Sequence, residues 1–181
     1  MNDKKLSIGL IGLGGVAQAH LQAFELLDNI NIVSVCDMRA DVVDTVAKKT
    51  SAIGYTDYRD LLADGNIDLA MVLTPASTHR DIVEAVAEQG IHVFCEKPIA
   101  VTLNDAEAMV TACKEADVKF FYGSCYRYLP AVKKAYELIQ SGTIGEIQLM
   151  TEQLIGGQGL AAYQELTPIH YPLGGPGGPG M

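Results

Sequence analysis

Lys97 stands where a sequence would deliver a proton-handling group to the end of a sheet. In "VFCEKPIA", residues 93–100, Glu96 and Lys97 follow a strand-like apolar run and Pro98 constrains the chain behind them. A lysine at such an end can take a hydroxyl proton as a free amine, or stabilise developing alkoxide charge as an ammonium. It can also simply lay its stem on apolar surface and send its head to water. A second cluster, Gly12-Leu13-Gly14-Gly15-Val16-Ala17, has the pattern G-x-G-x-x-A between a strand-like and a helix-like segment. In that context Gly12 permits a tight turn, Gly14 lets the backbone approach a pyrophosphate, and Ala17 allows close helix–strand packing. Gly15 and Val16 then open the helix, whose free N–H groups and positive dipole end face the anion.

Asp37 adds to this cluster. It ends the second strand-like segment, twenty residues after Ala17, where a carboxylate can accept hydrogen bonds from both hydroxyls of an adenosine ribose. The alternative role is to cap the turn before a helix at Asp41. A carboxylate there favours NAD, because it repels a 2′-phosphate. Arg39, two residues on, could pair with that phosphate, so NADP stays open.

These residues need a frame, and the pattern supplies one. Strands are expected at 6–11, 30–36, 52–55, 67–73, 91–95 and 118–122, and helices at 15–27, 41–49, 58–63, 77–89 and 103–115. Helix 103–115 carries Ala106, Met109, Val110 and Cys113 on one stripe, after a Thr102-x-x-Asp105 capping box. Strands alternating with crossover helices mean an α/β fold, a Rossmann-type doubly wound parallel sheet. It is expected to fill residues 1–123, with 124–181 beginning a second, incomplete α+β domain that opens with a strand at 146–155.

Composition narrows the function. The 181 residues are 49% hydrophobic, enough for a core, and 13 basic against 22 acidic residues give a net charge of −9. That field repels phosphate backbones and anionic lipid surfaces, so neither nucleic acid nor a membrane is an expected partner. No apolar run reaches membrane-spanning length. Lys4 and Lys5 ahead of an apolar stretch imitate a secretory leader, but Gly9, Gly12, Gly14 and Gly15 break the stretch, and cleavage would remove a needed strand. Cys36, Cys95, Cys113 and Cys125 form no CxxC pair and read as free thiols, three of them in or beside core elements, which suits the cytoplasm. No metal site is expected.

The chain resembles the glucose–fructose oxidoreductase and inositol dehydrogenase family (Gfo/Idh/MocA). The likeness runs from the glycine fingerprint through Thr74-Pro75-x-x-x-His79, Glu96-Lys97-Pro98 and Arg127-Tyr128-x-Pro130 to Ser141-Gly142-x-Ile144-Gly145, over about residues 5–150. It implies a dinucleotide-binding domain, a second domain on a large open sheet, and oxidation or reduction of a hydroxyl or carbonyl on a sugar, cyclitol or related small molecule. Lys97 would then be the catalytic base, aimed at the nicotinamide end of the crevice, with its pKa lowered by partial burial and the cationic ring. Glu96 would orient it, and Pro98 would follow a cis bond. Thr74 and Pro75 would shape the wall beside the cofactor ribose. His79 is either a cofactor-side residue or a first-turn helix residue facing solvent. Arg127 and Tyr126 would edge the substrate mouth or pack between domains. His20 and His92 read as structural histidines.

The C-terminal segment departs from the family. Five glycines and two prolines fill the seven residues from Gly174 to Gly180, a composition that extends neither a helix nor a central strand. The aspartate and histidine that usually partner the lysine have no counterpart, and His170 does not match. The expectation is therefore a shortened chain: either an oxidoreductase portion, or a non-catalytic dinucleotide-binding module. In both cases a homo-oligomer or a completing partner chain would cover the lone strand.

Overall fold

The structure, a computed structural model, describes residues 5–151. The chain divides into two compact units after Gly123.

In the first unit, six parallel strands stand in the order β3-β2-β1-β4-β5-β6: β1 Leu6–Ile11, β2 Ile30–Cys36, β3 Ile53–Tyr55, β4 Leu69–Val72, β5 His92–Cys95 and β6 Phe120–Tyr122. The order reverses between β1 and β4, and that switch point opens a crevice beyond the carboxyl ends of the strands. Helices α1 Gly15–Phe24, α2 Ala40–Thr50, α3 Tyr58–Ala63, α4 His79–Glu88 and α5 Leu103–Glu115 make the crossovers.

Strand alternation divides the core in two. Leu10, Val35, Met71 and Leu73 pack with Ala17 and Leu21 of α1 and Val43 and Val46 of α2. Ala70, Val72, Val93 and Cys95 point the other way, against Leu61 and Leu62 of α3, Ile82, Val83 and Val86 of α4, and Met109 and Cys113 of α5. Leu10, Val35, Val72, Val83 and Val93 are completely buried, each contributing about 1.5–3 kcal/mol of transfer free energy. Both sheet faces are thus covered, which is why these strands are nearly continuous in apolar residues. The expected box caps α5: Thr102 Oγ1 accepts the Asp105 N–H at 3.1 Å and donates to Asp105 Oδ2 at 2.6 Å.

Several elements are shorter than the sequence implies. The strand expected from 67 begins at Leu69, with Asp68 Oδ2 accepting the Ser7 N–H at 2.9 Å at its threshold. The helix expected from 77 begins at His79, after a 3₁₀ turn at Ala76–Thr78.

In the second unit a 3₁₀ turn at Cys125–Tyr128 precedes helix α6, Pro130–Gln140, which the sequence reading did not identify. Its signals were present: proline at the first helical position, then Val132, Ala135, Tyr136 and Ile139 at i, i+3, i+4 and i+7. The strand expected at 146–155 is corrected. Residues 146–151 form none, and 152–155 lie outside the described residues, as does the glycine- and proline-rich tail. A β-pattern becomes a strand only when a neighbour accepts its hydrogen bonds, and none does among the described residues.

Candidate functional site

Gly12 leaves β1 with φ +94°, a left-handed conformation that favours glycine. A Cβ there would sit 2.9 Å from the Leu73 carbonyl carbon, the Thr74 nitrogen and Thr74 Cγ2, so the turn is wedged against the end of β4. Gly14 and Gly15 differ: a Cβ at either would meet nothing within 4 Å. The packing of the protein gives no reason for glycine at these two positions, and the free space lies over the start of α1. The first α-helical bond of α1 runs from Gln18 N to Gly14 O at 3.4 Å, so the preceding N–H groups project from the helix end. Open space over projecting donors and a positive dipole end fits a pyrophosphate.

Asp37 closes the other side of that turn. Its Oδ2 accepts the Leu13 N–H at 2.9 Å, tying the end of β2 to the glycine loop, and Oδ1 accepts the Arg39 N–H at 3.1 Å. Arg39 also forks onto the carboxylate, Nε to Oδ1 at 3.0 Å and Nη2 to Oδ2 at 3.1 Å. Burial alone would raise the Asp37 pKa, but the Arg39 guanidinium and the two N–H groups outweigh it and hold the carboxyl below its ordinary value. Four donors fill the acceptor positions of a carboxylate. A ribose diol reaching Asp37 must therefore displace the guanidinium.

The β4 end forms the facing wall. Thr74 Oγ1 accepts from the Thr78 hydroxyl at 2.8 Å, and Thr78 Oγ1 also lies 2.8 Å from Pro75 O. His79 is completely buried, which corrects the solvent-facing alternative. Its Nε2 lies 2.7 Å from Thr74 O, and its Nδ1 lies 3.0 Å from Ile99 O and 3.2 Å from Cys95 Sγ. With the proton on Nε2 the ring donates to Thr74 O, and Nδ1 accepts from the Cys95 thiol, whose pKa burial and the Glu96 charge push up to about 12. Both ring nitrogens are taken by the protein. His79 therefore offers no ring atom to a ligand and instead braces the Thr74 turn against the loop that follows β5.

That loop carries Lys97, whose side chain is exposed and whose ammonium makes no hydrogen bond among the described residues; its bond to Pro98 is cis, as the family resemblance implied. Glu96 is buried, 8% exposed. Rather than holding the ammonium, Glu96 Oε2 accepts the Lys97 backbone N–H at 2.6 Å, while Oε1 lies 3.2 Å from His20 Nε2 on α1. Burial raises the Glu96 pKa, but the His20 hydrogen bond, the Lys97 N–H and the charges of both residues outweigh it, leaving the carboxyl below its ordinary value.

His20 is structural as expected, but sequence reasoning missed its bond to Glu96, although the residue shares the Ala17, Leu21 and Phe24 stripe that turns α1 toward the sheet. Sequence reasoning also missed Gly123, where a Cβ would come within 3.0 Å of Phe94 Cζ, 3.2 Å of Cys95 O and 3.3 Å of Glu96 Cα. His92 is structural as expected, its Nδ1 accepting the Lys119 N–H at 3.3 Å. Cys36, Cys95 and Cys113 are buried free thiols and Cys125 is exposed. Arg127 belongs to the second unit, its guanidinium carbon 6.0 Å from the Tyr128 ring centroid. Among the described residues no cluster could hold a metal, and no helix is long and apolar enough to cross a membrane.

Comparison with known proteins agrees with this geometry. A family model described as "Oxidoreductase family, NAD-binding Rossmann fold" matches residues 6–124. Myo-inositol 2-dehydrogenase of Thermotoga maritima is 34% identical over 142 residues, 78% of this chain and 42% of that protein. D-apiose dehydrogenase of Paraburkholderia graminis is 33% identical over 146 residues, 78% of this chain and 38% of that protein. Among solved structures, the WlbA dehydrogenase of Bordetella pertussis in complex with NADH and UDP-GlcNAcA superposes with a TM-score of 0.78 at 31% identity, covering 81% of this chain and 43% of that one. The chain spans about two fifths of the length of these relatives, 42% and 38% of the two curated ones.

Proposed function

The chain belongs to the Gfo/Idh/MocA oxidoreductase family, with its NAD-binding Rossmann fold, and on that premise we propose that it serves the NAD-dependent oxidation or reduction of a hydroxyl or carbonyl carbon on a sugar, cyclitol or related small molecule. The observation that carries the reading is the Asp37–Leu13 hydrogen bond of 2.9 Å, which sets a diol-binding carboxylate against a turn whose outer face is open at Gly14 and Gly15. In this reading Gly12 to Ala17 hold the diphosphate and Asp37 holds the adenosine ribose, while Thr74 and Pro75 line the nicotinamide side. His79 and Glu96 act by bracing that wall and the lysine loop. Arg39 must leave Asp37 for a diol to enter, and the same guanidinium is available to a 2′-phosphate, so NADP is the secondary cofactor. Arg127 is assigned to the substrate edge.

When bound, the nicotinamide ring supplies the hydride acceptor or donor. Lys97 manages the proton: as a free amine it takes the hydroxyl proton when an alcohol is oxidised, and as an ammonium it returns that proton to the nascent alkoxide in reduction. Its position in the loop just after β5 supports that role, since open α/β sheets bind ligands beyond the carboxyl ends of their strands. The substrate is a small molecule, the setting cytoplasmic, and the chain associates with a second copy or a partner chain. The test is to supply NAD, NADP and a panel of polyols and follow the absorbance of the reduced nicotinamide. Turnover that disappears in Lys97→Met supports the assignment. Turnover equal in Lys97→Met and wild type defeats the assignment of Lys97.

One observation favours a second reading, a dinucleotide-binding module without catalysis of its own. Among the described residues no side chain hydrogen-bonds the Lys97 ammonium. Saturable NAD binding with no turnover on any polyol identifies that case.

A further inference from the structure

Three elements converge on Glu96, and only one of its contacts is explained by the reading above. Its backbone N–H continues the sheet by donating to Val72 O at 3.0 Å. Its Oε2 accepts the Lys97 N–H at 2.6 Å, and its Oε1 faces His20 Nε2 at 3.2 Å across 76 residues of sequence. The imidazole is itself fixed, edge-on to Phe94 with centroids 5.5 Å apart and an interplanar angle of 80°, and tilted over Phe24 at 6.1 Å. At the far end of the same loop, Ile99 O lies 3.0 Å from Nδ1 of the buried His79. The loop that bears Lys97 is therefore held from α1 through Glu96 and meets the buried His79 of α4 at its other end.

Helix α1 is also the helix whose N-terminus opens the glycine turn. We propose that His20 is a positioning residue that, through Glu96, fixes the Lys97 backbone and transmits dinucleotide occupancy of the α1 turn to the lysine loop. This rests on the proposed cofactor site. In this role His20 acts through a carboxylate, its Nε2 3.2 Å from Glu96 Oε1. Without the imidazole, Glu96 keeps the Lys97 N–H but loses the donor that sets its rotamer, and a carboxylate 8% exposed then turns toward water. That N–H makes no other hydrogen bond among the described residues.

The test is amide hydrogen exchange at Lys97, resolved by NMR on the full chain with and without NADH, in wild type, His20→Phe and His20→Gln. Phenylalanine keeps the packing on Phe24 and Phe94 and removes the donor, whereas glutamine returns an N–H at similar reach. Without NADH, the Lys97 amide in His20→Phe is expected to exchange at least roughly tenfold faster than in wild type, while β4 and β5 amides are unchanged and His20→Gln stays near wild type. NADH is expected to slow the Lys97 amide in wild type and His20→Gln but not in His20→Phe. The proposal is overturned if His20→Phe protects the Lys97 amide as wild type does, if the acceleration spreads evenly over β4 and β5, or if NADH slows exchange equally in all three proteins. Absence of NADH binding to wild type, read by calorimetry on the same samples, would instead defeat the cofactor reading and leave the nucleotide-free exchange result to stand alone.

Discussion

Replacing Gly12 and Gly14 separately by alanine divides what the fold requires from what a ligand requires. At Gly12 a Cβ must fit 2.9 Å from backbone atoms of Leu73 and Thr74 with φ at +94°. The left-handed backbone costs an L-residue about 1–2 kcal/mol, and forcing a methyl into a closed turn about 1–3 more. A sum near 2–5 kcal/mol is a large part of the ~5–15 kcal/mol that typically holds a domain. At Gly14 the backbone has φ −72° and ψ −164°, which alanine adopts freely, and the new methyl meets nothing within 4 Å. Alanine is a poorer N-cap than glycine, but it also loses about 0.4–1 kcal/mol less chain entropy on folding, so stability should change by less than about 1 kcal/mol. The methyl nevertheless occupies the space over the projecting N–H groups. If a pyrophosphate lies there, overpacking of about 1–3 kcal/mol weakens binding roughly 5- to 150-fold. Thermal unfolding and NADH calorimetry on both variants measure the two effects. Gly14→Ala should melt like wild type and bind poorly; wild-type affinity in that variant would refute the placement of the diphosphate.

Other consequences follow from the same contacts. Arg39→Ala should bind NAD more tightly and NADP more weakly than wild type, because the guanidinium competes with the ribose diol for Asp37 and is suited to a 2′-phosphate; fluorescence titration with both reduced coenzymes checks the pair of signs. Asp37 and Glu96 are both held below their ordinary values of 3.8 and 4.5, so their stabilising contacts are fully present above those values and are lost as pH falls through the lower folded-state values. Urea midpoints should therefore be flat from neutral pH down to about 5 and fall only in stronger acid. With burial first and nearby carboxylates second, the Cys36 pKa is pushed up to about 12, as is that of Cys95, while burial also raises that of Cys113. A thiol reagent at mildly alkaline pH should thus label Cys125 alone in the native protein and all four cysteines after denaturation.

Much of the first unit was legible because its signals are local. Apolar runs at 6–11 and 91–95, the stripe of α5 and its Thr102–Asp105 box each depend on neighbours in sequence, and each matches an element. The glycine turn and its neighbour Asp37 were legible for the same reason, since glycine spacing and the interval to Asp37 are read along the chain. What escaped was set across the chain. His20 reaches Glu96 over 76 residues, and His79 is buried with Nδ1 3.0 Å from Ile99 O in the loop after β5. No periodicity encodes such contacts. His20 looked like a default structural histidine because its partner lies on another element. The strand expected at 146–155 failed for the opposite reason: its residues have a β-pattern, yet a strand also needs a neighbour to pair with.

The most direct measurement is a calorimetric titration of NAD into the wild-type chain and into Asp37→Ala, after circular dichroism has shown both to be folded. A single saturable site in the wild type, weakened at least tenfold in the variant by loss of two charge-assisted hydrogen bonds to the diol, is the expected result. Equal affinity in the two proteins, or no heat with NAD or NADP in the wild type, would contradict it.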